Sequence, residues 1–316
     1  MSNLEFRKLG KNGPEVSPIC LGTWPLGGGM GVLEESDAIK TVHASIDYGA
    51  NFIDTAESYL ESEQILGKAL VGLRDKVFLA SKLSGEHSPE HIKKALHNSL
   101  KKLRTDYLDL YQIHSWKDNW KIEDTLNEIL KYKDKGLIKH IGVSNFDSSQ
   151  ISTSQKTTNI QSCQPHFSIL FRASKSDPID YCFKNGVGVI IYSPLARGLL
   201  TGKYKPGHKF NDDDHRKNHK AFSQKIMENA WAMTKILSDW AKDYGKTCGD
   251  LAIAWSISTP GVTSAICGAK TPKQAINNAL AGTWKLSNSQ LNEIETLIDN
   301  LTIDYKVLGL RLSIGP

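Results

Sequence analysis

Cysteine is scarce in this chain: its 316 residues include five, Cys20, Cys163, Cys182, Cys248 and Cys267. They are odd in number, widely spaced and without a C-x-x-C pair, which argues against a disulfide scaffold or a thiolate metal cluster and leaves reduced thiols as the expectation. Long apolar runs are missing too. No stretch reaches the roughly 18 apolar residues that a membrane span requires. Residues 1–19 carry Glu5, Arg7, Lys8, Lys11 and Glu15 and lack the apolar core of a signal peptide. A cytoplasmic protein is expected. No G-x-G-x-x-G follows an apolar strand, and the cluster Gly27, Gly28, Gly29 with Gly31 lacks that spacing, so a Rossmann-type fold is disfavoured. The absence of H-x-H after an early strand counts against a metal-dependent barrel hydrolase, and the absence of G-x-S-x-G counts against a serine hydrolase.

What is present is ordinary globular composition. Hydrophobic residues make up 40% of the chain and charged residues 23%, enough apolar material for a full core and too little charge for disorder. The formal net charge of +5 is spread along the chain. Its densest basic run, from Lys93-Lys94 to Arg104, lies on a candidate helix whose other face is apolar, so it reads as a solvated face and no nucleic-acid partner is expected. The mild positive balance suits a phosphorylated ligand.

Apolar strands alternate with helical periodicity. Ile92, Leu96, Leu100 and Leu103 form one stripe, and Ile122, Leu126, Ile129 and Leu130 form another. Ser88-Pro89 marks the start of the first helix and Lys135-Gly136 the end of the second. The strands are 19–22, 51–54, 77–82, 108–114, 141–144, 162–164, 188–192 and 263–266. Such alternation predicts a parallel sheet, and eight units predict its closure into a (β/α)8 TIM barrel, one domain spanning 1–316. Two short segments around Gly10 to Pro14 predict an N-terminal β-hairpin that plugs the barrel floor. The polar stretch from Ser193 to Ser223, after the seventh strand, is longer than ordinary connections and is expected to be functional.

Ionisable groups stand at the C-terminal ends of three successive strands: Asp54, Lys82 and His114, with Tyr59 in the loop after Asp54. That rim is the catalytic face of a parallel barrel. A tyrosine is a poor acid near neutrality unless its phenolate is stabilised, and Lys82 would supply the charge while Asp54 holds Lys82. His114 would hydrogen-bond a carbonyl oxygen and orient it. The set can deliver a proton to a carbonyl while a cofactor supplies hydride.

The motifs Asp54-Thr55-Ala56-Glu57-Ser58-Tyr59, Ser81-Lys82, Gln112-Ile113-His114, Gly142-Val143-Ser144-Asn145-Phe146, Tyr192-Ser193-Pro194-Leu195 and Gly268-Ala269-Lys270-Thr271-Pro272-Lys273-Gln274 occur in the order and spacing of the aldo-keto reductases. The chain resembles that family over nearly its whole length, and within it the branch that includes small-aldehyde and sugar-aldehyde reductases and potassium-channel β subunits. The resemblance implies NADPH-dependent reduction of aldehydes or ketones to alcohols, with Tyr59 as general acid. It implies that Ser144, Asn145 and Gln164 bind the nicotinamide carboxamide and that Tyr192 stacks on the ring. It places Ser193, Pro194, Leu195, Lys203 and Arg216 at the pyrophosphate, and Thr23 and Trp24 where the first loop approaches cofactor and substrate. Gly268, Lys270, Gln274, Asn277 and Asn278 match the site of the adenosine 2′-phosphate and adenine, and a lysine beside a helix N-terminus favours NADPH over NADH. Trp24 and Trp116 would line an aromatic substrate pocket. The expected partner is a small carbonyl compound.

Three departures from the family pattern stand out. Many relatives have Tyr-Asn after Gln-Pro, where this chain has His166-Phe167; Asn277 replaces a usual glutamate; and the segment from Ile303 to Leu312 has no counterpart. His87 to His91 fits the zinc-protease pattern H-x-x-E-H, but Ser88 and Pro89 start a helix that leaves His87 outside it, so no metal site is expected. A regulatory protein that holds NADPH and senses its redox state is the alternative. Channel β subunits typically carry asparagine where this chain has His114, which favours the enzyme.

Overall fold

Eight apolar runs separated by amphipathic segments leave each strand with two faces to bury, and a closed barrel inside a helical layer buries both. The computed structural model, which describes residues 4–299, has that architecture. A two-stranded antiparallel hairpin comes first, β1 (Arg7–Lys8) with β2 (Glu15–Val16). The barrel strands follow: β3 (Ile19–Gly22), β4 (Phe52–Asp54), β5 (Phe78–Leu83), β6 (Leu108–Ile113), β7 (Ile138–Ser144), β8 (Ser162–Gln164), β9 (Gly188–Tyr192) and β10 (Val262–Gly268). Each pairs in parallel with its neighbour in sequence, and β10 pairs with both β9 and β3, closing the barrel.

The helices are α1 (Glu35–Asp47), α2 (Ser62–Ala69), α3 (Pro89–Leu103), α4 (Ile122–Asp134), α5 (Ser148–Gln155), α6 (Ile179–Lys184), α7 (Gln224–Lys242), α8 (Cys248–Ser258), α9 (Pro272–Ala281) and α10 (Asn288–Asp299). Helix α3 starts as read from the sequence: Ser88 accepts from the His91 amide and Pro89 occupies the first helical position. Its stripe Ile92, Leu96, Leu100 and Leu103 is buried. In α4 the stripe holds except at Leu130, which lies at the edge of the core.

The structure corrects three details of the sequence reading. Strand β5 runs one residue past Lys82, and His114 lies one residue beyond β6, where its amide still donates to Leu83 O. Period two in the sequence puts Leu108, Leu110, Gln112 and His114 on one strand face; Leu110 packs inside the barrel and Gln112 reaches Asp54 there, but Leu108 belongs to the layer between strands and helices. The polar stretch after β9 carries three short 3₁₀ turns, and two helices, α7 and α8, follow it before β10. Helix α8 is buried on almost every side, so its sequence has no polar face to reveal it as a helix. The segment 303–312, and the question of what it does, lie outside the described residues.

The hairpin plugs the barrel. Leu9 and Val16, both 0% exposed, join Cys20, Phe52, Phe78, Ala80, Leu110, Ile190 and Ile266 in the inner core. Gln161 Nε2 donates to Leu9 O at 2.6 Å and the Lys11 amide to Gly186 O at 2.9 Å. A Cβ at position 188 would lie 2.8 Å from the backbone nitrogen of Gly10 and 2.9 Å from the backbone carbonyl carbon of Leu9, so only glycine lets the hairpin close against β9. Leu9→Ala is therefore expected to cost about 2–5 kcal/mol of unfolding free energy in urea denaturation. A loss below about 1 kcal/mol would show that the plug does not contribute to the cooperative core.

Candidate active site

Strand ends β4 and β5 and the loop after β4 bring three of the four ionisable groups into contact. Lys82, fully buried, donates to Asp54 Oδ1 at 2.5 Å, Thr55 O at 2.9 Å and Tyr59 Oη at 3.2 Å, one acceptor for each ammonium hydrogen. Asp54 Oδ2 accepts from Gln112 Nε2 at 2.9 Å and from Gln164 Nε2 at 3.0 Å, and Gln164 also donates to Gln112 Oε1. A buried ion pair is tolerated only when its remaining lone pairs and protons are satisfied, and here they are. Burial alone would lower the Lys82 pKa; the Asp54 carboxylate and the Tyr59 oxygen reverse this and hold it above its ordinary value.

Tyr59 departs from the sequence expectation. Its phenol lies above the usual range because burial raises it, and Lys82, which lowers it, does not fully compensate. In the free protein Tyr59 is therefore a protonated phenol already hydrogen-bonded to an ammonium. It holds a proton and a group ready to stabilise the anion left behind.

His114 faces the same space, its ring centroid 5.8 Å from that of Tyr59. Burial, with Lys82 and Lys117 adding repulsion, pushes its pKa down to about 3, so the ring is neutral in the physiological range. Ser84 Oγ lies 2.7 Å from His114 Nδ1 and 3.1 Å from Ser58 Oγ. If Ser58 donates to Ser84 and Ser84 to Nδ1, the ring proton sits on Nε2, the arrangement that can hold a carbonyl oxygen. Ser84 is fixed in turn: its amide donates to Glu57 Oε1 at 2.5 Å and its carbonyl lies 2.8 Å from His91 Nε2. His91 is thus occupied with the loop after β5, and no group of three or more metal-ligating side chains occurs among the described residues.

Around this centre the first loop and the long loop meet over the barrel mouth. Trp24 packs edge-on against Tyr59 at 5.1 Å and against His215 at 5.6 Å. His215 Nδ1 lies 2.5 Å from Gly29 O, Asp213 accepts from the Val32 amide, and Lys270 Nζ donates to Met30 O at 2.7 Å. Thr23 Oγ1 donates to Asp54 O. Trp116 does not join this group; it packs on Phe146 at 5.4 Å and donates to Asp118.

The remaining residues implied by the resemblance sit along the same rim. Ser144 donates to Gln164 O; Asn145, at φ 59°, donates to His114 O and accepts from Tyr192 Oη at 2.8 Å. His166 stacks on Tyr192 at 5.1 Å, so the residue that departs from the family pattern backs the tyrosine ring. Ser193, Pro194 and Leu195 open the long loop, where Lys203 is exposed and Arg216 is committed to Asp214 and Tyr204. At the end of β10, Gly268 is exposed, Gln274 Oε1 accepts from the Lys270 amide, Asn278 donates to Gly268 O and Asn277 faces outward. Sequence reasoning missed Ser84, Gln112, Glu57, His166, Arg197 and His215 as members of this assembly. Gln112 was detectable, two residues before His114 on the inward face; Arg197 and His215 carry no local signal.

A model described as the aldo/keto reductase family matches residues 18–299. Aldo-keto reductase YhdN of Bacillus subtilis (strain 168) is 34% identical, over 95% of this chain and 96% of its own. Among solved structures, the glycerol dehydrogenase from Gluconobacter oxydans matches with a TM-score of 0.84 at 30% identity, covering 94% of this chain and 96% of that one. An aldo/keto reductase from Klebsiella pneumoniae, solved in complex with NADP and acetate, matches with a TM-score of 0.75 at 27% identity, covering 96% and 97%.

The Ser84–His114 contact leads to a prediction readable by ¹⁵N NMR. His114 should be neutral with its proton on Nε2 from about pH 5 to pH 8, because burial disfavours the cation. Ser84→Ala removes one hydrogen bond, worth about 1 kcal/mol, and should shift the tautomer ratio by about fivefold. A charged ring near pH 6, or a ratio unmoved in the variant, would contradict the assignment.

Proposed function

The chain belongs to the aldo/keto reductase family, and from that premise we propose that it reduces aldehydes or ketones with NADPH, Tyr59 giving the proton. The observation that carries this reading is Lys82 Nζ, 2.5 Å from Asp54 and 3.2 Å from Tyr59 Oη, beside a neutral His114. Asp54 holds the ammonium against the phenol. As the phenol gives up its proton, the developing phenolate accepts from Lys82, so charge forms where a preorganised donor already stands. His114 Nε2–H orients the carbonyl oxygen and shares the charge that grows on it. Trp24 and the loop around His215 shield the centre from water, which strengthens each of these interactions.

The residues present fit a nicotinamide cofactor, which when bound supplies the hydride. Gln164 Oε1 accepts from none of the described residues and can take an amide N–H, while its Nε2 is anchored on Asp54 and Gln112. Lys270 spends one ammonium hydrogen on Met30 O and keeps two for a phosphate, beside the α9 N-terminus capped by Thr271. Lys270 is the residue proposed to prefer NADPH over NADH. Lys270→Met should erase most of that preference, since a charge-assisted hydrogen bond contributes about 1.5–3 kcal/mol. Equal affinities of the unmodified protein for NADPH and NADH would remove Lys270 from this role.

Tyr59→Phe keeps the ring against Trp24 and deletes only the hydroxyl. NADPH should still quench the intrinsic tryptophan fluorescence, while aldehyde reduction should fall by roughly 10² to 10⁴. Reduction by Tyr59→Phe at the unmodified rate, with chemistry limiting, would make the cofactor-sensing reading the better one.

A further inference from the structure

Behind β5, on the side away from the barrel mouth, lies a carboxylate that the chemistry at the mouth does not use. Glu63, the second residue of α2, is 1% exposed and forms no ion pair among the described residues. Its Oε1 accepts from Ser81 Oγ at 2.7 Å, while its Oε2 is buried with no hydrogen-bond partner among them. Tyr111, opposite Ser81 in the β5–β6 register, also has a hydroxyl without a partner. A carboxylate in such a layer weakens the fold, and an apolar side chain of similar size would leave no polar atom to satisfy. Packing therefore does not explain Glu63.

Its place in the chain does. Tyr59 is joined to α2 by a tight turn in which the Ser62 amide donates to Tyr59 O at 2.9 Å, and Ser62 Oγ donates to Thr23 Oγ1 at 2.6 Å. Glu63 follows at once. Along β5, Leu79 and Leu83 join the layer under the helices and Ala80 joins the inner core, so alternation turns Ser81 toward the helices and Lys82 into the barrel. The Tyr59 turn is thus fastened to neighbouring residues of one strand twice. Inside the barrel Tyr59 Oη meets Lys82 Nζ at 3.2 Å, and behind the strand Glu63 meets Ser81. These contacts close a ring through Tyr59, Ser62, Glu63, Ser81 and Lys82, in which the hidden pair fixes how far the phenol stands from the ammonium.

We propose that Glu63 is a positioning residue for the proton donor, holding the Tyr59 turn through Ser81 at the distance from Lys82 that proton transfer requires. The inference rests on the reductase reading. Glu63 lies behind the strand and neither gives nor takes a proton in the reaction.

Ser81→Ala and Glu63→Leu cut the brace from either side, whereas Glu63→Gln keeps an acceptor for the Ser81 hydroxyl. Turnover is measured at saturating NADPH with an aldehyde that the unmodified enzyme reduces, on protein that thermal melting shows to be folded at the assay temperature. In Ser81→Ala and Glu63→Leu kcat should fall about ten- to a hundredfold, since a misplacement of about 1 Å can cost about a hundredfold. KM and NADPH affinity should move by less than about threefold, and Glu63→Gln should keep kcat within about threefold of the unmodified enzyme. The double variant Ser81→Ala with Glu63→Leu should be no slower than the slower single one, because both remove the same contact. Ser81→Ala carries the test if Glu63→Leu does not fold. A second readout needs no turnover: the ¹³Cζ resonance of Tyr59 in labelled protein, assigned with Tyr59→Phe, should move in Ser81→Ala and hold its place in Glu63→Gln. A lower melting temperature in Ser81→Ala with kcat and the Tyr59 resonance unchanged would overturn the proposal. Impairment of Glu63→Gln as deep as that of Glu63→Leu would overturn it too. If the unmodified protein reduces no aldehyde or ketone with NADPH, the reductase reading itself fails, and the Tyr59 resonance still decides whether the brace sets the position of the phenol.

Discussion

A buried ammonium is the constraint that organises the barrel mouth. Lys82 has no exposed surface, and without partners it would shed its proton or destabilise the fold. Satisfying it takes three acceptors from two neighbouring elements, and satisfying its chief partner, Asp54, takes amide donors from β6 and β8. The network therefore ties four barrel strands together at one end. Closure of the sheet brings those strand ends onto one ring, because strands β4, β5, β6 and β8 could not converge on one carboxylate in a flat sheet. The plug at the other end leaves the floor apolar, so polar residues inside the barrel collect at the rim where this network lies.

The imidazoles at the mouth follow a common electrostatic rule. His114 and His166 are both pushed down to about 3 and His219 to about 4, in each case chiefly by burial and then by nearby cations. The mouth thus holds the fixed positive charges of Lys82, Arg197 and Arg216, and keeps these histidines as neutral donors and acceptors. Lys82 and Arg216 each have a carboxylate of their own, Asp54 and Asp214, and Arg197 has none among the described residues.

Much of this was legible in the sequence and some was not, for physical reasons. Period two along 108–114 put Gln112 and His114 on one inward face, though only His114 was given a role, and the strand-end positions of Asp54 and Lys82 brought out the ion pair, because alternation and strand termini are local properties. The α3 start at Ser88-Pro89 was readable for the same reason, and it disposed of the zinc pattern. The net upward shift of Tyr59 was not readable, since it depends on how much water the fold excludes as well as on the lysine beside it. Helix α8 was hidden by burial on almost every side. Arg197 and His215 were hidden by distance: they meet Tyr59 only through Trp24, on another loop, and no spacing in one chain encodes such a meeting. The family resemblance supplied the rim residues by position; the structure adds that Arg216 is already paired and that Trp116 lies apart.

Backbone strain points to the same loop. Ser193, Ala196 and Arg197 hold φ values of 61°, 46° and 55°, a left-handed conformation that costs a non-glycine residue about 1 kcal/mol or more. Strain of this kind persists only where its surroundings over-determine it. Here the Arg197 carbonyl is held by Arg216, Arg216 is held by Asp214, and Asp214 forms an isolated bridge with Met30 of the first loop. The clasp across the mouth and the left-handed turn therefore support each other. Glycine at position 197 would relieve the conformation but would remove the guanidinium, so the residue is explained by what its side chain does in the mouth and not by what its backbone prefers.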